Sequence, residues 1–274
     1  MFAVVNGEEI PEYYGKPYIE ICDNIPNFSE FPKQEKYKRL GSYIRCKEEH
    51  IIYSAYDCIK WIYLSDERKR PNHKNISKYY PDNYDFIKGD GYLFNYCHLI
   101  AHQLLEDDSD NRNFVVGTRY MNEIGMSLFE DQVKKCLKNK NRVNHVLYRV
   151  TPIYNDGDQL VKGVQMEALS VEDYGKEICF NVFVYNVQPG VAICYKCGSS
   201  KEDKKWCDTI FSQNKYNDKE KGTQDYILNT GVHIFHNSNC EFIDKINDEN
   251  KKEFKYPRQF LIDNGYKPCN NCNP

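Results

Sequence analysis

Three residues in the stretch that ends at Glu130 have side chains suited to chemistry at a charged centre, namely His98, Asn122 and Glu130. His98 follows one apolar and aromatic run and precedes another, which predicts that rigid backbone holds it. A histidine with an unperturbed pKa near ~6.5 can accept a proton from water at neutral pH, as a general base must. A carboxamide oxygen is an acceptable ligand for a hard cation such as Mg²⁺, which keeps most of its waters. The residue types therefore predict a general base beside one metal ion.

A helix should position Asn122 and Glu130. The apolar residues that recur at steps of three and four in this stretch are Met126, Phe129, Val133 and Leu137. That spacing predicts an amphipathic helix with Asn122 at or near its start. Eight fully helical residues would put Glu130 about 12 Å along the axis from Asn122, too far for both to contact one ion. Either Glu130 acts through water, or the helix begins nearer Gly125 and Asn122 folds over its end.

Several runs of the sequence resemble the DNA/RNA non-specific endonucleases, a family with a ββα-metal active site. The runs are NYCHLIAHQL, NFVVGTRYMNEIGM, NHVLYRVTPIY, GVQMEALSVED and ICFNVFVYNVQPG. The resemblance, which extends over about residues 10–198, implies that His98 is the general base and Asn122 the ligand of a catalytic Mg²⁺. It also implies that Glu130 orients metal-bound water and that Asn113 helps to order the site.

The motif around His98 departs from the family pattern at one charged position. The family usually reads Asp-Arg-Gly-His where this sequence reads Asn-Tyr-Cys-His, so Tyr96 replaces a cation that would face phosphate. Charge at the developing transition state is usually the largest electrostatic contribution in such a site. Another basic residue is therefore expected to supply it, and the candidates are Arg70, failing that Arg68, and Arg119. A solvated loop around Arg70 and a structural ion pair at Arg119 are the alternatives.

The C-terminal region contains a second set of metal-ligand types. His236-x3-Cys240 is followed by Cys269-x2-Cys272, and one histidine with three cysteines is a standard tetrahedral set for structural Zn²⁺. The pattern resembles small zinc-binding modules, and we expect the two ligand pairs at the ends of a short helical hairpin, preceded by a β-hairpin. Four protein ligands leave no open position for catalysis. The module should therefore be structural, or present a surface to nucleic acid or a partner.

Two other cysteine and histidine patterns are weaker. Cys194 and Cys197 form a Cys-x-x-Cys with Cys207 ten residues on, which leaves free thiols and a metal site as alternatives. His98 and His102 would share one face of a helix, as in a zinc peptidase. Such a peptidase needs a glutamate after the first histidine, where this chain has leucine, so the peptidase reading is disfavoured.

Composition limits the function classes. The 37 basic and 40 acidic residues give a net charge of −3, so any nucleic-acid contact must rest on local patches rather than a global basic field. The sequence begins without a signal-like segment and has no apolar run of about 18 residues, so neither a membrane span nor the usual export route is expected. We therefore expect a cytoplasmic protein with reduced cysteines, or alternatively a toxin delivered into another cell.

Together these features predict an α+β protein, with a ββα-metal nuclease fold containing an antiparallel sheet and a small zinc-stapled module. The expected units are residues 1–198, a charged linker 199–225, and the module 226–274. The predicted reaction is hydrolysis of DNA or RNA phosphodiesters with little sequence preference, using Mg²⁺, with an inhibitor or regulatory partner expected to control it. The alternative is a nuclease fold that has lost catalysis and binds nucleic acid or protein.

Overall fold

A computed structural model describes most of the chain and contains two main β-sheets. The residues that it describes are 3–29, 55–60, 93–105, 113–139, 143–203, 224–229, 232–256, 258–263 and 266–274. The larger sheet lies in the N-terminal part of the chain and the smaller one in the C-terminal part. The candidate site predicted around His98 therefore belongs to the part with the larger sheet.

Short antiparallel strands rich in β-branched and aromatic residues build the N-terminal part. They are β1 (Val4–Val5), β2 (Glu8–Glu9), β3 (Tyr18–Glu20), β4 (Ala55–Lys60), β5 (Phe94–His98), β6 (Phe114–Thr118), β7 (His145–Ile153), β8 (Gly163–Ser170) and β9 (Cys179–Tyr185). The larger sheet has five strands in the order β3-β9-β8-β7-β4. The predicted antiparallel sheet is confirmed, and three of its strands form a meander, because β8 pairs with β7 on one side and with β9 on the other.

A hairpin and a helix lie against one face of this sheet. Strands β5 and β6 pair antiparallel, and the chain then forms a π-helical segment, Met121–Met126, that continues into α1 (Ser127–Lys138). The helix buries Phe129 and Val133 in the same core as Tyr148 of β7. The predicted amphipathic helix and the predicted ββα arrangement with an antiparallel sheet are confirmed.

The opposite face of the sheet is covered by the N-terminal arm. The Asn27 backbone N–H donates to Glu167 Oε1 at 3.0 Å, and Arg149 Nη2 donates to the Asn27 carbonyl at 2.7 Å. Arg149 Nε also donates to Glu167 Oε2 at 2.6 Å, and the Glu167 side chain is fully buried. Both faces of the central strands are therefore covered, which explains why β8 is buried along almost its whole length.

The chain leaves the N-terminal part through a small hairpin. Its strands are β10 (Val191–Ile193) and β11 (Ser200–Glu202), which pair antiparallel. Strand β11 lies inside the segment that was expected to be linker. Residues 204–223 of that segment lie outside the described part of the chain, and its last two residues, 224 and 225, begin the next strand.

The C-terminal part is a sheet with one short helix. Its elements are β12 (Gln224–Asn229), β13 (Ile234–Asn237), β14 (Lys251–Tyr256), α2 (Arg258–Asp263) and β15 (Lys267–Pro268). The sheet order is β14-β12-β13-β15, and β13 and β15 are parallel. The predicted β-hairpin is confirmed by the pairing of β12 with β13. The predicted helical hairpin is wrong, because β14 pairs along the whole of β12 instead.

Candidate active site and candidate metal centre

The hairpin and the helix of the candidate active site meet at Gly117. A Cβ atom at this position would lie 2.2 Å from Met121 Cε and 2.9 Å from Cys97 Sγ, so a larger residue would displace these side chains. Both Met121 and Cys97 are fully buried. Their neighbours in sequence are Asn122 and His98, so this contact brings together the backbone segments that carry the predicted base and the predicted metal ligand.

Asn122 lies in the first turn of a π-helical segment. Its carbonyl accepts a hydrogen bond from the Ser127 N–H, five residues on. The helical backbone thus already includes Asn122, and the helix does not begin near Gly125. The Asn122 side chain is half-buried, and within the described residues its carboxamide forms no hydrogen bond. Short π-helical turns occur frequently at functional sites.

Thr118, at the end of β6, fixes the start of the helix. Its Oγ1 accepts a hydrogen bond from the Met121 N–H at 3.0 Å and donates to the Val187 carbonyl at 2.6 Å. Its own N–H donates to Asn186 Oδ1 at 2.8 Å. Sequence reasoning missed this residue, although a threonine directly before a helix, as Thr118 is, is a recognisable N-cap.

The helix also approaches β9 closely at Gly125. A Cβ atom there would lie 2.3 Å from Val184 Cγ1. The glycine is therefore required for helix packing rather than for a turn. Together with the Thr118 hydrogen bonds, this contact fixes the position of Asn122 relative to the sheet.

Asn113 holds the segment that follows His98. Its Oδ1 accepts from the Ile100 N–H and its Nδ2 donates to the Ile100 carbonyl, each at 2.9 Å. Its backbone carbonyl accepts from the Leu99 N–H at 2.8 Å. The half-buried His98 ring packs on the Phe114 ring with centroids 4.4 Å apart. Asn113 therefore acts on the segment of His98 through backbone contacts, with both amide atoms engaged.

Glu130 lies close enough to the buried Cys97 of the β5–β6 hairpin to affect the pKa of its thiol. Burial, with a smaller contribution from Asp131, raises the pKa of the Glu130 carboxyl to about 8. Its charge in turn contributes to the raised pKa values of Cys97 and Tyr148, after the larger effect of burial. The Tyr148 hydroxyl is buried and forms no hydrogen bond within the part of the chain that the structure describes. Sequence reasoning missed Tyr148 as a neighbour of this carboxyl, because only the packing of α1 on β7 brings them together.

Of the basic residues predicted to face phosphate, the structure describes Arg119 alone. Its Nε lies 2.9 Å from Glu123 Oε2, and the two side chains are 44% and 45% exposed. An exposed pair one helical turn apart is worth only about 0.3–0.5 kcal/mol, so a phosphate could displace the carboxylate. Arg70 and Arg68 lie outside the described residues.

The zinc peptidase reading lacks its required geometry. His98 ends a β-strand, whereas His102 lies in a separate 3₁₀ turn, His102–Leu104. The two histidines therefore do not share the face of one helix.

The four predicted zinc ligands come together in the C-terminal part. The ligand atoms of His236, Cys240, Cys269 and Cys272 all lie within 4.8 Å of one another. His236 Nδ1 is 3.3 Å from Cys240 Sγ. Ligands at the corners of a tetrahedron with Zn–S bonds of about 2.3 Å are about 3.8 Å apart. The cluster therefore has the size and the donor chemistry that a structural zinc ion requires.

A hydrogen bond to the cluster favours the thiolate form that a cation binds. Burial and the neighbouring thiols of Cys240 and Cys269 raise the pKa of Cys272 to about 11. The Asn237 N–H donates to Cys272 Sγ at 3.4 Å, which favours the thiolate. A dication would overcome the raised pKa and release the proton, as thiolate–metal sites do.

Comparisons with known proteins agree with this architecture. Residues 63–172 match the family model described as DNA/RNA non-specific endonuclease. NucA from Streptococcus agalactiae, solved with no metal bound, is 22% identical with a TM-score of 0.55, and the match covers 70% of this chain and 89% of that chain. NucA with a magnesium ion bound is 21% identical with a TM-score of 0.52 and the same coverage of 70% and 89%. The resemblance to this family and the ββα-metal fold are confirmed, and the matches support a nuclease.

None of the helices in the described ranges is long and apolar enough to cross a membrane.

Proposed function

We propose that the protein is a metal-dependent endonuclease that hydrolyses phosphodiester bonds of DNA, RNA or both with little sequence preference. The observation that carries the proposal is the contact at Gly117, which joins the strand of His98 to the helical turn of Asn122. Glu130 lies beside the same hairpin. In this proposal the three side chains supply a base, a neutral oxygen ligand and a carboxyl group to one site, and the family match over 63–172 supports this chemistry.

His98 is the general base in this proposal. Its imidazole accepts a proton from the water that attacks phosphorus, which typically contributes about 10²–10⁴-fold to the rate. Asn113 keeps the strand end of His98 in place through its hydrogen bonds to Ile100. Packing of the His98 ring on Phe114 restricts the ring orientation, so that the base does not need to be ordered during the reaction.

Asn122 and Glu130 form the cation site. The Asn122 carboxamide oxygen would ligate Mg²⁺, and Glu130 would hold water molecules of its hydration shell. When bound, Mg²⁺ neutralises phosphate charge and stabilises the leaving oxygen. One neutral ligand with a nearby carboxyl suits an ion that retains most of its waters, and the magnesium ion in the NucA structure supports this choice of metal.

Arg119 is the described candidate for the cation that Tyr96 does not supply. Its exposed side chain lies within the two residues that connect β6 to the π-helical segment, three positions before Asn122. We propose that substrate phosphate replaces Glu123 as its partner. Arg70 is retained as the second candidate from the sequence.

The C-terminal part is proposed to be a separate module, beginning near residue 226, with a structural zinc ion held by His236, Cys240, Cys269 and Cys272. The size of the ligand cluster supports it. A cytoplasmic location, delivery into another cell as a toxin, and control by an inhibitor or regulatory partner remain predictions from the sequence.

The activity is tested by incubating zinc-loaded protein with plasmid DNA and with structured RNA, with Mg²⁺ or with EDTA. We expect Mg²⁺-dependent cleavage that Asn122→Ala reduces by at least about 100-fold, because even residues outside the ligand shell cost 10–100-fold at metal sites. The matched control is Asn247→Ala, at an exposed asparagine of the C-terminal part. Binding of nucleic acid without cleavage under any divalent metal would overturn the proposal in favour of a binding module.

A further inference from the structure

The turn between β10 and β11 holds two cysteines that the nuclease chemistry does not use. Cys194 and Cys197 are both exposed. The Cys194 N–H donates to the Ser199 carbonyl and the Gly198 N–H donates to the Cys194 carbonyl, each at 2.8 Å. Gly198 has a φ of +73°, which glycine adopts without strain. These bonds close the turn and hold Cys194 and Cys197 at its two ends.

The turn is anchored to the body of the N-terminal part by Tyr195. Its hydroxyl donates to the Asn186 carbonyl at 2.6 Å, and its own carbonyl accepts from Gln159 and Leu160 at 2.8 and 3.0 Å. The Lys162 ammonium lies 3.7 Å from the centre of the Tyr195 ring. Tyr195, which lies between the two cysteines, is thus held in place, which lowers the entropy that must be lost to join the sulfurs.

The surroundings of Cys197 favour its thiolate. Its Sγ lies 3.1 Å from Ser199 Oγ. Hydrogen bonds from the Ser199 hydroxyl, the Cys194 thiol and the Ser199 N–H lower the pKa of Cys197 to about 7. Cys179 is also exposed, but partial desolvation of its sulfur raises its pKa instead.

We propose that Cys194 and Cys197 form a thiol–disulfide exchange site that reacts with low-molecular-weight disulfides such as oxidised glutathione. The Cys197 thiolate attacks one sulfur of the disulfide and releases one glutathione thiolate. Cys194 then loses its proton, attacks Cys197 Sγ in the mixed disulfide and releases the second glutathione. The two protein thiols are oxidised to one disulfide, and one oxidised glutathione is reduced to two glutathione molecules.

Zinc binding is the alternative function of such a cysteine pair. Structural zinc takes four protein ligands. Within the described residues, the group of three or more metal-ligand side chains is the C-terminal cluster, and Cys194 and Cys197 do not belong to it. Cys207, the third cysteine of this pattern, lies outside the described residues, so zinc content is included in the test.

The expected rate follows from the thiolate of Cys197. At pH 7 a thiol of pKa about 7 is about half ionised, whereas a thiol of pKa 9.0 is about 1% ionised. The thiolate of lower pKa is less basic, which makes each thiolate about 8-fold less reactive. Cys197 should therefore react roughly sixfold faster than an unperturbed exposed cysteine. Its advantage over Cys179 should be at least as large.

The experiment treats full-length, zinc-loaded protein with oxidised glutathione at pH 7, followed by alkylation and peptide mass analysis. We expect a disulfide between Cys194 and Cys197 in the wild type, and a lasting glutathione adduct on Cys197 in Cys194→Ser. Cys179→Ser is the matched control and should react as the wild type does.

Three results would overturn the proposal. One is reaction of Cys197 in Cys194→Ser no faster than that of Cys179. Another is a wild type that keeps a mixed disulfide instead of closing the ring. The third is a second zinc ion per chain that disappears in both Cys194→Ser and Cys197→Ser. Since the readout is mass and zinc content, the outcome does not depend on nuclease activity.

Discussion

Mg²⁺ binding should release a proton from Glu130. The pKa of this carboxyl is about 8, so in the metal-free protein at pH 7 only about 10% of it is ionised. A cation beside it favours the carboxylate, and binding then displaces the proton. The expected release is about 0.9 proton per Mg²⁺ at pH 7 and about 0.5 at pH 8.

The same linkage sets the pH dependence of the apparent affinity for Mg²⁺. The ionised fraction of Glu130 rises from about 1% at pH 6 to about 90% at pH 9, so the affinity should increase by roughly 100-fold over this range and then level off. In Glu130→Gln the pH dependence and the proton release should both disappear, and the affinity should be low at every pH.

The stability of the metal-free protein should change in the opposite direction. The folded-state pKa of Glu130 is raised from 4.5 to about 8, so the folded state binds the proton more tightly than the unfolded state. The free energy of unfolding should therefore fall as pH rises through this window, by at most about 5 kcal/mol. Glu130→Gln should remove that fall.

Isothermal titration calorimetry in two buffers of different ionisation enthalpy measures the released proton directly. Glu12→Gln, at an exposed glutamate, serves as the control and should behave as the wild type. Mg²⁺ binding without proton release at pH 7, or release that persists in Glu130→Gln, would refute the placement of Glu130 beside the cation.

Three further predictions concern the framework of the two parts. Cys272→Ser should lose the zinc ion and the hydrogen-exchange protection of β12–β15 while β7–β9 stay protected; equal loss in both would contradict a separate module. Glu167→Ala removes the carboxylate partner of Arg149 and should lower the free energy of urea unfolding by about 3–5 kcal/mol, more than Glu167→Gln does; equal losses would contradict this. Gly125→Ala places a Cβ 2.3 Å from Val184 Cγ1 and should lower the free energy of thermal unfolding by about 1–3 kcal/mol. Val184→Ala in the same chain should recover part of that cost, and additive losses would contradict the contact.

The strands and the helix of the N-terminal part were predictable because their signals are local. The alternating apolar residues Val146, Tyr148 and Val150 predict a strand with one buried face, and the spacing of Phe129 and Val133 predicts a helix. The zinc-ligand cluster was predictable for a different reason, since ligand types and spacing alone define such a site.

Features that depend on distant contacts could not be predicted from the sequence. The C-terminal sheet forms because β14, a strand rich in lysine, pairs with β12 across a turn-rich segment, and no periodicity in KKEFKY indicates that partner. The amide of Asn113 is engaged by Ile100 only because β5 and β6 pair in one register. The raised pKa of Glu130 likewise results from burial that only the packed structure creates.

The most direct test of the account is the nuclease rate of His98→Ala with and without added imidazole, at saturating Mg²⁺ and with plasmid DNA and structured RNA as substrates. We predict a loss of about 10²–10⁴-fold, because the general base is removed while the cation site is kept. Added imidazole should restore part of the activity in proportion to its unprotonated form. A variant that cleaves at the wild-type rate would contradict His98 as the base, and with it the central claim.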